Sequence, residues 1–310
     1  MDRLTNMRVF TQVVESKSFT GAAEKLGMTR AGVSKSVLQL EKQLGARLLN
    51  RTTRRVSPTE VGLAYHDRCV AILSDVEEAE LAVSSLHDEP RGRLRINAPM
   101  SFAMLHLAGP LSDFMERYPE VQVQLIMNDR QVDMIDGGFD IGVRIGELAD
   151  SSMIARRISV SHHTLVASPD YVAAHGAPQQ PDDLADHTCL TYGHLATDVR
   201  WRFKNGADEV TVTVPGHLCV NNGDVLRDAA VRGRGIVLLP TFISGDDLRA
   251  GKLVQLLPGW EREPADVSVI YPPHRFLSAK VRVFIDFLAQ RFGDQPYWDE
   301  GLKVYSAASS

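Results

Sequence analysis

Cysteine is scarce in this 310-residue chain: Cys69, Cys189 and Cys219 stand far apart, with no CxxC pair and no Cys/His ligand spacing. They read as buried small hydrophobes in a reducing compartment, so no disulfide framework, metal centre or thiol chemistry is assigned to them. Long apolar runs are lacking too, because Asp, Arg or Lys interrupts every candidate before it reaches spanning length. The opening MDRLTNMRVFTQVVES has none of the basic, apolar and small-residue zones of a secretion signal. A soluble, cytoplasmic protein without a membrane partner is therefore expected. Low-complexity tracts and solenoid-length repeats are missing, which argues against disorder and repeat architectures. The length suits one large domain or two to three smaller ones.

Signatures of catalysis are equally sparse. There is no GxSxG elbow, phosphate-binding loop, HExxH or dinucleotide fingerprint. RGRGI at 232–236 contains a GxG, but it follows a helix and enters a strand, the reverse of the nucleotide-binding order. His162 and His163 are adjacent, so on a strand they face opposite sides and do not readily share a metal; they read better as marking a crossover between two lobes. No cofactor and no metal are expected.

What is present is an uneven charge. The net charge is -5, yet residues 1–58 hold 11 basic side chains against 4 acidic ones. Residues 59–90 invert this, with Arg68 alone against 8 acids. A basic head, an acidic middle and a mildly acidic body indicate three jobs, the first of them on a polyanion.

The head carries a recognisable pattern. Met7, Phe10, Val13 and Val14 recur at helical spacing over residues 4–15. Ser18 is placed to cap a second helix through Leu26, with Ala22, Ala23 and Leu26 inward and Gly27 as its left-handed stop. Thr29 caps a third helix whose inner stripe is Val33, Val37, Leu40 and Leu44, ended by Gly45. Two short helices joined by GMT form a helix-turn-helix, and the small Ala23 lets them cross closely. With both valines inward, Arg30, Ala31, Ser34 and Lys35 point outward at the start of the third helix, the end that meets base edges and phosphates. RLLNRTTRRVSPTEVG then places Arg51, Arg54 and Arg55 around two threonines in a short hairpin, suited to a wing along the DNA backbone. The alternative is a solvated three-helix bundle with a basic loop.

The stretch FTQVVESKSFTGAAEKLGMTRAGVSKSVLQLEKQLGARLLNRTTRRVSPTEVG resembles the N-terminal domain of the LysR-type transcriptional regulators. The resemblance implies that Thr29, Arg30, Ala31, Ser34, Lys35 and the wing residues Arg51, Arg54 and Arg55 contact double-stranded promoter DNA. Gly32 is a departure, expected to weaken the first turn of the third helix until DNA orders it.

SPTE reads as a capping box, with Ser57 at the cap, Pro58 first in the helix and Glu60 third. A long helix should follow to about Leu86. Tyr65, Cys69, Ile72, Val76, Ala79, Val83 and Leu86 are spaced as a heptad seam with charged flanks, either a two-stranded coiled coil or a stripe packed on the chain's own body. The resemblance favours dimerisation through this helix, with dimer or tetramer as the assembly. HDEPRG at 87–92 breaks the helix as a hinge.

From Arg93 the period changes to strands alternating with helices, implying parallel or mixed sheets. Two α/β lobes with two crossovers resemble the effector domain of the same family, itself similar to periplasmic solute-binding proteins. The expected fold is thus multidomain α and α/β: a winged helix-turn-helix at 1–58, a dimerisation helix and hinge at 59–90, and a two-lobed effector domain at 91–293. Its first lobe is expected over about 91–161 and 267–293, its second over about 162–266. The tail 294–310 lies outside the resemblance and is expected to be partly disordered.

A ligand belongs between the lobes, where strand ends and helix N-termini converge. Pro99, Met100, Ser101 and Phe102 open a helix from one lobe, Asn221, Asn222 and Asp224 from the other. Asn128, Arg144, Pro240, Thr241 and Phe242 stand at further strand ends. Free N–H groups and the Ser101 hydroxyl suit a carboxylate, and the resemblance implies an aromatic or short-chain acid as the small-molecule effector. Each residue has an alternative as a simple cap or strand-end polar group, and Arg144 as a partner of Asp140 or Glu147. A DNA-binding regulator, with RNA polymerase as a further partner, is the main expectation; an enzyme or a solute-binding receptor on the same body is the alternative.

Overall fold

The computed structural model describes residues 2–51, 56–83, 89–129, 132–135, 137–148, 153–193, 199–273 and 277–302, with only the backbone described for residues 51, 74, 75 and 77–83. Local capping builds the head. Helix α1 (Arg3–Ser16) starts at Asp2, whose side chain accepts from the Leu4 amide. Helix α2 (Phe19–Leu26) starts at Ser18 and ends at Gly27 with φ 61°. Helix α3 (Arg30–Leu44) starts at Thr29 and ends at Gly45 with φ 66°. These are the caps read from the sequence, because each depends on residues three or four apart. Phe10, Val13, Ala22, Ala23, Val33, Val37 and Leu40 close into one apolar core. Strands β1 (Leu49–Arg51) and β2 (Val56–Pro58) pair antiparallel as the wing.

The entry to helix α4 (Glu60–Val83) differs from the expected capping box. Ser57 and Pro58 sit in β2, opposite Asn50 and Leu49, so neither is free to start a helix. Thr59 caps instead: its Oγ1 accepts from Gly62 N–H at 2.9 Å and donates to the Arg47 carbonyl at 2.9 Å. The apolar stripe of α4 is also divided. Cys69 is fully buried in the head core, and Tyr65 packs against that core with its ring 5.9 Å from Phe10. Tyr65 is therefore engaged by its own head rather than turned outward for a partner. Ile72 is exposed and Val76 half-buried; the side chains of Ala79 and Val83, and all of Leu86, lie outside the described residues.

The body has two five-stranded sheets. In the first, β3 (Gly92–Ala98) lies between β4 (Val121–Met127) and β5 (Ile141–Ile145), parallel to both. Strand β6 (Ile154–Ser161) forms its far edge. After β3 the chain enters one continuous helical run: α5 (Met100–Phe102), a π turn over Ala103–Leu107, and α6 (Ala108–Arg117). The π turn lies just before Pro110, whose ring and missing N–H disturb the helical ladder at this level.

The second sheet begins with β7 (His163–Ala167), followed by α7 (Pro169–His175) and β8 (Cys189–Tyr192). The hairpin of β9 (Val199–Asn205) and β10 (Asp208–Val214) covers it with Trp201, Phe203, Val212 and Val214. Then come β11 (Gly216–Val220), α8 (Gly223–Val231), β12 (Ile236–Pro240), α9 (Thr241–Arg249) and β13 (Val254–Gln255). The order is β11-β8-β12-β7-β13. Strand β14 (Ala265–Tyr271) returns to the first sheet between β5 and β6, antiparallel to both, and α10 (Ala279–Phe292) packs on that lobe. The chain thus crosses from one sheet to the other at His162 and returns between Gln255 and Ala265. One apolar cluster joins both lobes, from Leu94 and Phe102 to Leu226 and Leu239.

Of the tail, residues 303–310 lie outside the described residues. Residues 294–302 fold back onto the body through a 3-10 turn at Tyr297–Asp299, and Trp298 is only 2% exposed.

Candidate nucleic-acid interface and effector cleft

The start of α3 presents the outward surface that its stripe implies. Thr29, Arg30, Ala31 and Lys35 are exposed and Ser34 half-exposed, while Val33, Ser36 and Val37 are buried. Gly32 is secured at both ends: its N–H donates to Thr29 Oγ1 at 3.1 Å and its carbonyl accepts from Ser36 Oγ at 3.1 Å. The first turn is closed without DNA. Leu38 continues the same face and is 52% exposed, an apolar position that the basic pattern alone did not single out. Its signal was the i, i+4 step from Ser34.

Glu41 fixes the wing to this helix. Its Oε1 accepts from the backbone N–H groups of Leu48 at 2.9 Å and Leu49 at 3.2 Å, which orients β1. Arg51 is described by its backbone in β1, and Arg54 and Arg55 lie outside the described residues.

Between the lobes, two helix starts meet. Ser101 Oγ donates to Asp224 Oδ2 at 2.6 Å, and Asn222 Nδ2 lies 3.5 Å from the same Ser101 oxygen. Asn222 also caps α8, its Oδ1 accepting from Val225 N–H at 3.2 Å. On the first lobe, Met100 N–H donates to Asp129 Oδ1 at 2.9 Å. Gly223 packs close to α9 of its own lobe, where a Cβ would run into the end of the Ile243 side chain. Asn128 lies beside this contact with its Oδ1 buried and unpartnered, and Tyr192 has its hydroxyl pushed up to about 12 by burial and by Asp129. Asp129 and Tyr192 were not singled out from the sequence; an acid two residues past a strand that points at a facing helix start was the available clue.

Other expected cleft residues are placed differently. Phe102 is fully buried against Phe242, His106, Phe292 and Trp298, so it builds the core below the cleft rather than its wall. Thr241 is also fully buried, its N–H and hydroxyl both donating to the His162 carbonyl. Phe242 is 8% exposed and belongs to the same aromatic group. Pro99, Asn221 and Pro240 are half-buried at their strand ends, and Met100 is 37% exposed. Arg144 does not join Ser101: its Nη1 donates to the Val143 carbonyl at 2.8 Å and its Nη2 faces Met134 Sδ. It pairs with neither Asp140 nor Glu147, its Nε is buried without a partner, and burial lowers its pKa. Asp140 instead binds Arg95 N–H at 2.6 Å and approaches Lys280 Nζ at 3.8 Å.

A basic winged helix joined by one helix to a two-lobed α/β body is the layout of a ligand-modulated DNA-binding protein. Residues 4–63 match the sequence model described as bacterial regulatory helix-turn-helix protein, lysR family, and residues 87–293 match that of the LysR substrate binding domain. The chain belongs to the LysR family of transcriptional regulators. It is 39% identical over 298 residues to an HTH-type transcriptional repressor of Pseudomonas aeruginosa, covering 96% of this chain and 94% of the relative. It is 37% identical over 290 residues to the regulator CrgA of Neisseria meningitidis, covering 93% and 96%. The solved structure of CrgA is similar at TM-score 0.61 and 35% identity over 94% of this chain and 99% of that one. The full-length Vibrio cholerae virulence activator AphB gives TM-score 0.61 and 30% identity, over 94% and 99%. The protein is accordingly a LysR-type DNA-binding transcriptional regulator with a small-molecule-binding domain, and not an enzyme. Among the described residues, no helix is long and apolar enough to cross a membrane.

Proposed function

We propose that a small carboxylate effector enters between the lobes at Ser101 and changes promoter binding by the head. The Ser101–Asp224 hydrogen bond across the two lobes carries this reading. Ser101 Oγ already donates to an internal carboxylate oxygen, and in this reading an effector acid takes the place that Asp224 occupies. An effector acts only by binding two lobe arrangements unequally, and exchanging an internal carboxylate for an external one supplies such a difference.

In this reading Thr29, Arg30, Ala31, Ser34, Lys35, Arg51, Arg54 and Arg55 form the DNA surface, in a division into head 1–58, linker 59–90 and effector domain 91–293. Pairing through α4 joins two heads as a dimer or tetramer, in the cytoplasm where promoter DNA and RNA polymerase are found. Exposed Val61 and Ile72, eleven residues apart and so on one side of α4, support that pairing. A thermal-shift screen of the full chain against aromatic and short-chain acids tests the effector. A matching acid at 100 times its dissociation constant adds about 2.7 kcal/mol. Ser101→Ala should lose that gain and Asp224→Asn should bind the acid more tightly; parental binding by both variants would remove this site.

A further inference from the structure

The family match ends at residue 293, yet the residues after it are built into the body. They touch three parts of the effector domain that come from distant places in the chain. Tyr297 OH lies 2.7 Å from His106 Nδ1, in the π turn of the first lobe. The other ring nitrogen, His106 Nε2, lies 3.0 Å from the Phe242 carbonyl on α9 of the second lobe. A carbonyl only accepts, so Nε2 carries the proton and Nδ1 accepts from the Tyr297 hydroxyl. His106 thus spans the lobes, and Tyr297 fixes its ring.

The second anchor is the crossover itself. His162 is the single residue between β6 and β7, and its Nδ1 donates to Asp299 Oδ2 at 2.7 Å. Its carbonyl accepts from Thr241 N–H at 2.8 Å, which ties the same residue to the start of α9. The third anchor lies on the second lobe, where Arg249 Nη1 donates to the carbonyls of Trp298 at 3.1 Å and Glu300 at 2.9 Å. Between these, the Trp298 ring lies 5.7 Å from both Phe102 and Phe292 of the first lobe and 6.3 Å from Phe242 of the second. Gly245 on α9 leaves space for the segment, since a Cβ there would come within 3.0 Å of the Trp298 carbonyl oxygen.

We propose that residues 294–302 are a strap across the lobe hinge, holding the crossover at His162 and keeping the two lobes at a set angle. Rotating one lobe against the other requires Trp298 to leave one of its aromatic neighbours, or His162 to part from Asp299. A tail that merely ended the chain would need neither two histidine contacts nor a buried indole. The strap therefore sets how easily the lobes move, independently of what ligand lies between them.

Hydrogen–deuterium exchange on the full chain tests this, comparing the parent with Tyr297→Phe, Asp299→Asn and the double variant. Tyr297→Phe removes one oxygen and keeps the aromatic packing, so it retains the fold. The expected result is protection of 296–302 in the parent, and exchange about tenfold faster in the variants at 159–165 and 256–264, the cost of one lost buried hydrogen bond or more. Residues 3–44 of the head should exchange at the parental rate. Full exchange of 296–302 in the parent would overturn the strap. So would parental protection of both crossovers in the double variant.

Discussion

Glu41 is an acid in a helix otherwise suited to meeting a polyanion, and its two backbone contacts explain it. The carboxylate serves the wing by binding Leu48 and Leu49 N–H groups that would otherwise be unmet at the turn out of α3. Glu41→Ala should lower the unfolding free energy of the head by about 1–3 kcal/mol, read from the urea midpoint of its transition. An unchanged midpoint would show that solvent satisfies those amides equally well. The cysteines follow from burial in the same way. Burial pushes the thiols of Cys69 and Cys189 up to about 11 and about 12, while Cys219 is the most accessible of the three. At pH 8 a thiol reagent should label Cys219 in the native protein and reach the other two only after denaturation. At this scale the sequence was a good guide wherever a residue's partner lay within one turn, as for Thr29 and Gly32. It was silent where partners lay far apart, as for Ser101 and Asp224, which come from different lobes.

The elements show the same division. The helices of the head were legible to within a residue or two, because their caps are local. The start of α4 was not, because β2 claims Ser57 and Pro58 through pairing with a strand seven or more residues earlier. Gly62 marks how closely that junction is packed: a Cβ there would collide with the Leu48 carbonyl. Gly62→Ala should therefore destabilise the head despite raising helix propensity, which thermal unfolding of the full chain would detect. The buried contacts of Trp298 escaped a reading that ended at 293, since the indole's partners are spread from Phe102 to Phe292. Strand β7 gives a pH prediction. Burial, with Arg262 and His162 nearby, holds His163 well below the usual histidine value, at about 3 against 6.5. The unfolded chain gains this proton below pH about 6.5 while the folded chain refuses it until about 3, so stability falls as pH drops through that window. Midpoints of thermal unfolding at pH 7.5 and 4.5 should differ less in His163→Gln than in the parent; equal differences would assign the acid sensitivity elsewhere.

For the whole molecule, the charge layout and the architecture agree. The basic excess of the first 58 residues lies in the head, and the acids of 59–90 begin on α4, which follows it and touches the first lobe where Arg68 donates to the Ile135 carbonyl. A net charge of -5 alone would argue against DNA binding, and only its distribution along the chain restores it. The two lobes were legible as alternating strands and helices, but their closure at Ser101–Asp224 was not, because it depends on how two sheets face each other. If heads pair along the exposed apolar side of α4, as proposed, Val61→Asp with Ile72→Asp should shift sedimentation toward monomer while the head stays folded. The most direct measurement concerns the duplex itself. Affinity of the full chain for its own upstream DNA, taken across a salt series, should fall along a straight log–log line whose slope steepens by about 0.9 for each phosphate neutralised. Lys35→Ala should weaken binding and make that slope shallower by about one such step. A flat line in the parent, or a Lys35→Ala protein that binds as the parent does, would contradict the assignment of α3 as the DNA-reading helix.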